Sequence, residues 1–250
     1  MHILISIKRF LKTVINIPVR LIALFRFLFQ WFHLKGRNDK RFDIKARDLY
    51  PCLSDKTSTT PIDAHYTYHP AWAARVLAQT RPGSHVDISS ILSFSTICSA
   101  FLPIKFYDYR PAHLQLTNFD SEFADLKNLP FADNSIESLS CMHTIEHIGL
   151  GRYGDELDIK GDIKAVDEII RTVTPDGDIL FVTPVGKSRI EFNAHRIYGY
   201  EQVIDLFHDC RLIEFSLITD NGEFISNAEP GLVKHQNYGC GCFWFKKKSR

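Results

Sequence analysis

His143, Glu146 and His147 stand within five residues, as His-x-x-Glu-His. Imidazole titrates near neutrality, so either histidine is suited to take a proton as a general base. Three acids mark a second kind of chemistry. Asp87 closes the apolar run HVDI, Asp108 closes IKFYD, and Asp125 precedes a Leu-Pro-Phe turn. Asp108 follows Asp87 by 21 residues, close to the spacing of about 20 at which an acid reaches ribose hydroxyls in a nucleotide-binding sheet.

Such residues need elements to position them. Apolar strands are expected at His85–Ile88, Ile104–Tyr107, Ile136–Met142 and Asp178–Pro184, then at Leu212–Ile218 and Tyr238–Lys246. Helices are expected at His65–Leu77, Ile91–Phe101, Ile159–Thr174 and Tyr200–His208, the third with Ile163, Val166, Ile169, Ile170 and Val173 on one side and Pro175-Asp176-Gly177 as its stop. A further helix is expected to begin after Met142 and to carry His143, Glu146 and His147, closed by a loop bearing Gly149, Gly151 and Gly154. Strands alternating with helices predict a parallel sheet with ligands at the carboxyl ends of its strands. No internal repeat interrupts the pattern. His-x-x-Glu-His is also the inverted zinc-peptidase motif, but that chemistry requires a further acidic ligand and a different context from a nucleotide-type sheet.

The run DLKNLPFADNSIESLSCMHTIEHIGLGRYGD, Asp125 to Asp155, resembles the region around the fourth strand of class I S-adenosylmethionine (SAM) methyltransferases, and its extension through GRYGD is most similar to the DUF268 branch of that superfamily. The resemblance covers residues 84–248. It implies an α/β fold: a Rossmann-like, seven-stranded, mostly parallel sheet with helices on both faces. SAM is the implied cofactor, with Asp87 orienting the first turn or the methionine amino group and the Ser89 and Ser90 hydroxyls on the carboxylate. Asp108 with Tyr109 would take the ribose, Asp125 the adenine amino group and the Leu126 N–H the ring, with His143 beside the cofactor. The departure is the turn Ser89-Ser90-Ile91-Leu92-Ser93, which has no glycine where the superfamily brings backbone N–H groups up to the ligand. Some relatives, the ubiquinone-pathway and small-RNA 2′-O-methyltransferases, hold a cation with acid-x-x-Glu-His. By that resemblance Glu146 and His147 match, His143 replaces the acid and His195, in the run FNAHR, would be a fourth ligand (His143, Glu146, His147, His195); a histidine in place of the acid disfavours magnesium. The metal-free version makes His143, His147 and His195 the catalytic candidates.

Composition adds a location. Residues 1–50 hold eleven Lys/Arg against three Asp/Glu, a net +8, so the remainder carries −7 of the total +1. Basic residues interleaved with large apolar ones fit anionic lipid rather than nucleic acid. Pro18 is expected to divide two amphipathic helical halves, the second with Arg26, Gln30, His33 and Arg37 opposite Leu24, Phe27, Leu28, Trp31 and Phe32. No run reaches the roughly 18 uncharged residues of a spanning helix, and Arg26 interrupts any cleavable signal. The expected organisation is a basic amphipathic extension over 1–38, a linker over 39–62 and a methyltransferase-like domain over 63–250. The alternative for the extension is a helical arm packed on the domain or on a second subunit, as a homo-oligomer. Six scattered cysteines without metal-finger spacing predict buried free thiols, with Cys240 and Cys242 on one side of a strand as the pair that could bridge or bind metal. The functional expectation is O-methylation of a sugar or other small hydroxylated acceptor in surface-polysaccharide biosynthesis, peripheral on the inner, cytoplasmic face of a membrane. The alternative is a catalytically inactive methyltransferase-like binding module.

Overall fold

The computed structural model describes residues 2–37 and 41–249, with side chains of the first helix described from residue 18 onward. The chain divides into two units, Met1–Ile62 and Asp63–Arg250.

In the first unit, helix α1 (His2–Lys35) is continuous, with Pro18 inside it. This corrects the expected break. A proline removes one N–H and costs about 3 kcal/mol, but a helix continues where the residues on both sides favour it. The expected apolar face also divides. Phe27, Leu28 and Trp31 are partly covered, and Phe27 and Trp31 line a groove shared with Ile44, Leu49 and Tyr50. The stripe left exposed is Ile22, Phe25, Phe29 and Phe32, a three- and four-residue spacing down one side. No described helix is long and apolar enough to cross a membrane.

The second unit is an α/β sandwich. An eight-stranded sheet runs β3 (Phe119–Phe123), β2 (Ile104–Asp108), β1 (His85–Ile88), β4 (Ile136–Met142), β5 (Val173–Val185), β10 (Gly239–Lys247), β8 (Cys210–Ile218) and β9 (Phe224–Ile225). The first five strands are parallel, β10 is antiparallel to both β5 and β8, and β9 adds an antiparallel edge to β8. Seven of these strands form the expected mixed, largely parallel sheet. β9 is an addition of two residues, and β6 (Arg189–Glu191) pairs with β7 (His195–Ile197) in a separate hairpin. Chain order reverses between β1 and β4, the switch point where open sheets leave a crevice.

Both faces are covered. Helices α2 (Ala64–Thr80) and α3 (Leu92–Cys98) pack Trp72, Val76, Phe94 and Cys98 on Met142, Val182, Cys242 and Trp244. Helices α4 (Gly161–Thr172) and α5 (Tyr200–Leu206) pack Val166, Ile169 and Val203 against Leu139, Phe181, Phe243 and Phe245. The strict alternation of Phe243 and Phe245 with Cys242 and Trp244 is what a strand covered on both sides requires. Each such side chain contributes roughly 1.5–3 kcal/mol on burial.

Two local expectations change. The Pro175-Asp176-Gly177 segment does not stop the helix; α4 ends at Thr172, and these residues loop out within β5, with Ile136 opposite Val173 and Ser138 opposite Asp178. After Met142 there is no regular helix, only a single 3-10 turn at Ile145–His147. His143 adopts a left-handed φ of 56°, which bends the chain sharply at the strand end and leaves no room for a full helical start.

Candidate functional site

Asp87 ends up inside the protein rather than on the rim. It is wholly buried, accepting hydrogen bonds from Ser95 Oγ of α3 and from Ser140 Oγ of β4, the latter at 2.6 Å. Burial raises its carboxyl to about 6 against the serine hydroxyls that lower it. Ser140 also lies 2.9 Å from His85 Nε2, and Ser138 2.8 Å from its Nδ1, so a buried polar chain stitches β1, β4 and α3 together. Asp87 therefore orders the turn and lines neither cleft described below. The expectation that all three acids converge at the surface is corrected for this one.

The glycine-free turn still does what a glycine does. Ser89 has φ 55°, the left-handed region that glycine enters freely and other residues enter at a cost. Its N–H donates to Tyr107 O at 2.8 Å, and its carbonyl accepts from Thr144 Oγ1 at 3.0 Å. Ser90 Oγ accepts from the Met142 N–H at 3.0 Å. The turn is thus clamped to β2 on one side and to the end of β4 on the other.

Two adjoining clefts open at the carboxyl ends of the strands. The first, about 370 Å³, is lined by Asp108 and Tyr109 at the end of β2, Asp125, Leu126 and Lys127 after β3, and Ser89. Asp108 Oδ1 accepts the Arg110 N–H at 2.7 Å, and Asp125 Oδ1 the Lys127 N–H at 2.9 Å, which fixes both carboxylates in tight turns. The structure thereby brings Asp108, Tyr109, Asp125, Leu126 and Ser89 together. The second cleft, about 620 Å³, is lined by Ser90, Glu146, His195, Tyr66, Asn193 and Tyr238 among others. Ser89, His143, His147 and Tyr153 border both.

The glycine loop roofs the junction. Tyr153 lies between two guanidinium groups, Arg110 at 4.8 Å and Arg152 at 5.1 Å from its ring centre. Gly149 has φ 78°, and a Cβ there would fall 2.0 Å from Asp158 O, so no other residue fits. The loop is held from beneath by Arg196, whose Nη1 and Nη2 donate to Ile148 O at 2.7 Å and Ile159 O at 3.2 Å. Arg196 is buried and ion-paired with Asp162 at 3.4 Å. Sequence reasoning missed this clamp beside His195, because an arginine in a polar run looks like a surface residue until the carbonyls it serves are known.

The histidines differ. His143 donates from Nδ1 to Glu146 Oε1 at 2.9 Å, and its Nε2 faces Cys240 Sγ at 3.3 Å. Burial depresses it to about 4. With both nitrogens engaged, it is poorly placed as a base. His147 donates from Nδ1 to Ala194 O at 2.5 Å, which leaves Nε2 as an acceptor. Arg152 Nη1, 3.3 Å from that same Nδ1, is satisfied by Ala194 O at 3.2 Å. Burial holds His147 below the ordinary imidazole range. His195, on β7, packs tilted against Tyr238 with ring centres 4.9 Å apart, and its Nε2 lies 3.2 Å from Glu191. Glu146 is buried, its carboxyl raised by burial to about 7, and its Oε2 finds no partner. The four side chains of the alternative cation set do not converge on one point: among the described residues, the three metal-capable donors that gather within 4.8 Å are those of His65, His143 and Cys240.

Comparison with known proteins agrees with this architecture. No curated protein matches the chain in sequence. Among solved structures, the N-methyltransferase NodS from Bradyrhizobium japonicum, in complex with S-adenosyl-L-homocysteine, is similar at a TM-score of 0.52 and 12% identity, over 80% of this chain and 92% of that one. YcgJ from Bacillus subtilis gives 0.51 and 13%, over 74% and 100%. The [4+2]-cyclase SpnF gives 0.50 and 11%, over 72% and 81%. At such identities the likeness establishes the fold, a class I methyltransferase-like Rossmann sheet, and nothing finer. The family model described as "Caenorhabditis protein of unknown function, DUF268" matches residues 105–220, a span from β2 to β8 that includes Asp108, Asp125, His143 and His147. Over that span the chain matches the DUF268 model, and the sheet it forms has the methyltransferase-like fold.

Proposed function

We propose that the protein is a SAM-dependent methyltransferase acting on a hydroxyl group. The observation that carries this reading is the pairing of clefts. Two fixed carboxylates, Asp108 and Asp125, line a small-ligand crevice at the sheet's switch point, and a wider polar cleft adjoins it across His143, His147 and Tyr153. The crevice fits an adenosyl group: each acid spends Oδ1 on a backbone N–H in its own turn, and Leu126 supplies an apolar wall. Asp108 and Tyr109 would hold the ribose, Asp125 and Leu126 the adenine, and Ser89 the methionine end. SAM, when bound, supplies an electrophilic methyl group.

The chain's own residues do the rest. Tyr153 and its flanking arginines cover the junction and exclude water. His147 Nε2, its tautomer set by Ala194, accepts the acceptor's hydroxyl proton, and Glu146 Oε1, 3.8 Å away, stabilises the cation formed. Aligning the acceptor is most of the work in such a displacement. Tyr66, Arg152, Asn193 and Tyr238 give the larger cleft the mixture of aromatic faces and donors that suits a hydroxyl-rich ligand, and a glycan is our preferred acceptor class. The exposed stripe Ile22, Phe25, Phe29 and Phe32 on a basic helix supports peripheral attachment to anionic lipid, at the cytoplasmic face of a membrane.

Calorimetry with SAM and S-adenosylhomocysteine tests the central step. Saturable binding weakened tenfold or more in Asp108→Asn is expected; absence of heat at millimolar ligand would end the transferase reading. A second reading, a non-catalytic binding module, is favoured by one feature, the serine turn whose strand-end acid is sealed inside. Binding of the cofactor without turnover of any hydroxylated acceptor would support it.

A further inference from the structure

We propose that His65, His143 and Cys240, with His69 as the fourth donor, form a binding site for a borderline transition-metal ion, zinc by preference. The site lies behind the acceptor cleft, and the inference does not rest on the transferase reading.

The donors come from three elements far apart in sequence: the first turns of α2, the end of β4 and the start of β10. The ligating atoms of His65, His143 and Cys240 all lie within 4.8 Å of one another, and His143 Nε2 is 3.3 Å from Cys240 Sγ. Bonds of about 2.0 Å to nitrogen and 2.3 Å to sulfur place two ligands of one tetrahedral zinc roughly 3.5 Å apart. The His143–Cys240 pair is already at that separation. His65, half-buried between the His143 and Tyr238 rings at 5.8 and 5.5 Å, has the freedom to close the remainder.

A second observation points the same way. His69 is fully buried, donates from Nδ1 to His65 O at 2.7 Å, and has no partner for Nε2. A buried unpartnered ring nitrogen is costly, and this one belongs to a ring 5.0 Å from that of His143. His65 and His69 are four apart on one helix, the spacing at which two imidazoles share a metal. Glu146 completes the arrangement from behind: His143 gives its Nδ1–H to that carboxylate and presents Nε2 forward, the carboxylate–histidine–metal pattern that fixes a ligand's tautomer. Two or three imidazoles and a thiolate select zinc or its neighbours over magnesium or calcium. As the sulfur–metal bond forms, the Cys240 thiol proton leaves to solvent.

Cobalt(II) is a direct probe. Metal-free full-length protein titrated with cobalt should bind one equivalent and develop the intense near-ultraviolet thiolate-to-cobalt band with visible d–d absorption of a four-coordinate ion. Cys240→Ser should abolish the near-ultraviolet band, while Cys242→Ser, altering the neighbouring thiol on the same strand, should keep it. His65→Ala and His69→Ala should each weaken binding about tenfold or more, and Glu146→Gln by about 10- to 100-fold with the band retained. If Cys240→Ser fails to fold by circular dichroism, the half-buried His65→Ala carries the test. No band in the folded wild-type protein, a band surviving Cys240→Ser, or affinity unmoved by His65→Ala would each overturn the site.

Discussion

At the scale of single residues, Glu146 is the most consequential side chain that carries a charge. It is sealed from water, its carboxyl stands near 7 through burial, one oxygen orients His143, and the other is buried without a partner. His147 is the neighbour whose free Nε2 can take a proton. Under the proposed function, His147→Ala is expected to lower kcat by about 10²- to 10⁴-fold while SAM affinity by calorimetry changes little, because binding rests on Asp108 and Asp125. Ser89 gives a contrasting prediction. At φ 55°, Ser89→Gly should leave unfolding stability within about 1 kcal/mol, strain relief and lost chain entropy offsetting one another. Ser89→Val should cost about 2 kcal/mol or more, since a β-branched residue tolerates that backbone poorly. Denaturant unfolding of the two variants measures the difference. His143, the other left-handed strand-end residue here, is where a sequence reading assigns a base and the surroundings assign a fixed ligand-like role.

Elements decide whether the clefts exist at all. The loop from Ile148 to Ile159 is tied at both ends to one guanidinium, that of Arg196, which is itself anchored by Asp162. Tyr198 OH donates to the same carboxylate at 2.9 Å. Removing the cation leaves the buried Asp162 carboxylate without its counter-charge and two part-buried carbonyls short of a donor, so Arg196→Ala is expected to destabilise by about 3 kcal/mol. Hydrogen exchange should show the loss concentrated in residues 148–159. A merely peripheral arginine would shift neither measurement. The hairpin β6–β7 that presents Arg196 and His195 escaped the sequence reading because three-residue strands lack enough alternation to register. β3 was missed for a related reason: its run FDSEF is largely exposed along its length, so no apolar pattern marks it.

The molecule as a whole carries several buried titratable groups, and their shifts set its response to acid. His69 and His85 are held near 3 and His143 near 4 by burial, against an ordinary 6.5. Their folded values lie below their unfolded ones, so each contributes stability that is complete above about 6.5 and is lost as pH falls. His65 and His147 shift in the same direction. Asp87, near 6, and Glu146, near 7, are raised, so the folded chain keeps their protons longer and they oppose the histidines between about 4.5 and 6. Three histidine protons against two carboxyl protons leave a shallow slope there. Below about 3.8 these two carboxyls are protonated in both states and no longer oppose the histidines, which act at about 1.4 kcal/mol per proton and pH unit. Thermal melts should therefore show stability falling gently from pH 6.5 to about 4 and more steeply below. A Tm that rises on acidification through pH 4 contradicts the assignment of these imidazoles as buried and neutral.

Residue order alone specified the two-sided apolar strands, the helix between them and the acids at 108 and 125, because burial on a sheet imposes a period of two, burial on one side of a helix a period near four, and a strand end is where either pattern stops. It also carried the resemblance to the DUF268 model, since the DLKNLPFADNSIESL run is contiguous. Folding decided everything that depends on partners distant along the chain: that Asp87 faces inward to Ser95 and Ser140, that Ser89 takes a glycine's conformation, and that His143 meets Cys240 across 97 positions. Those outcomes depend on which groups crossovers and strand pairing bring within three ångströms of each other, and a hydrogen bond across the sheet leaves no periodic trace in the sequence that makes it.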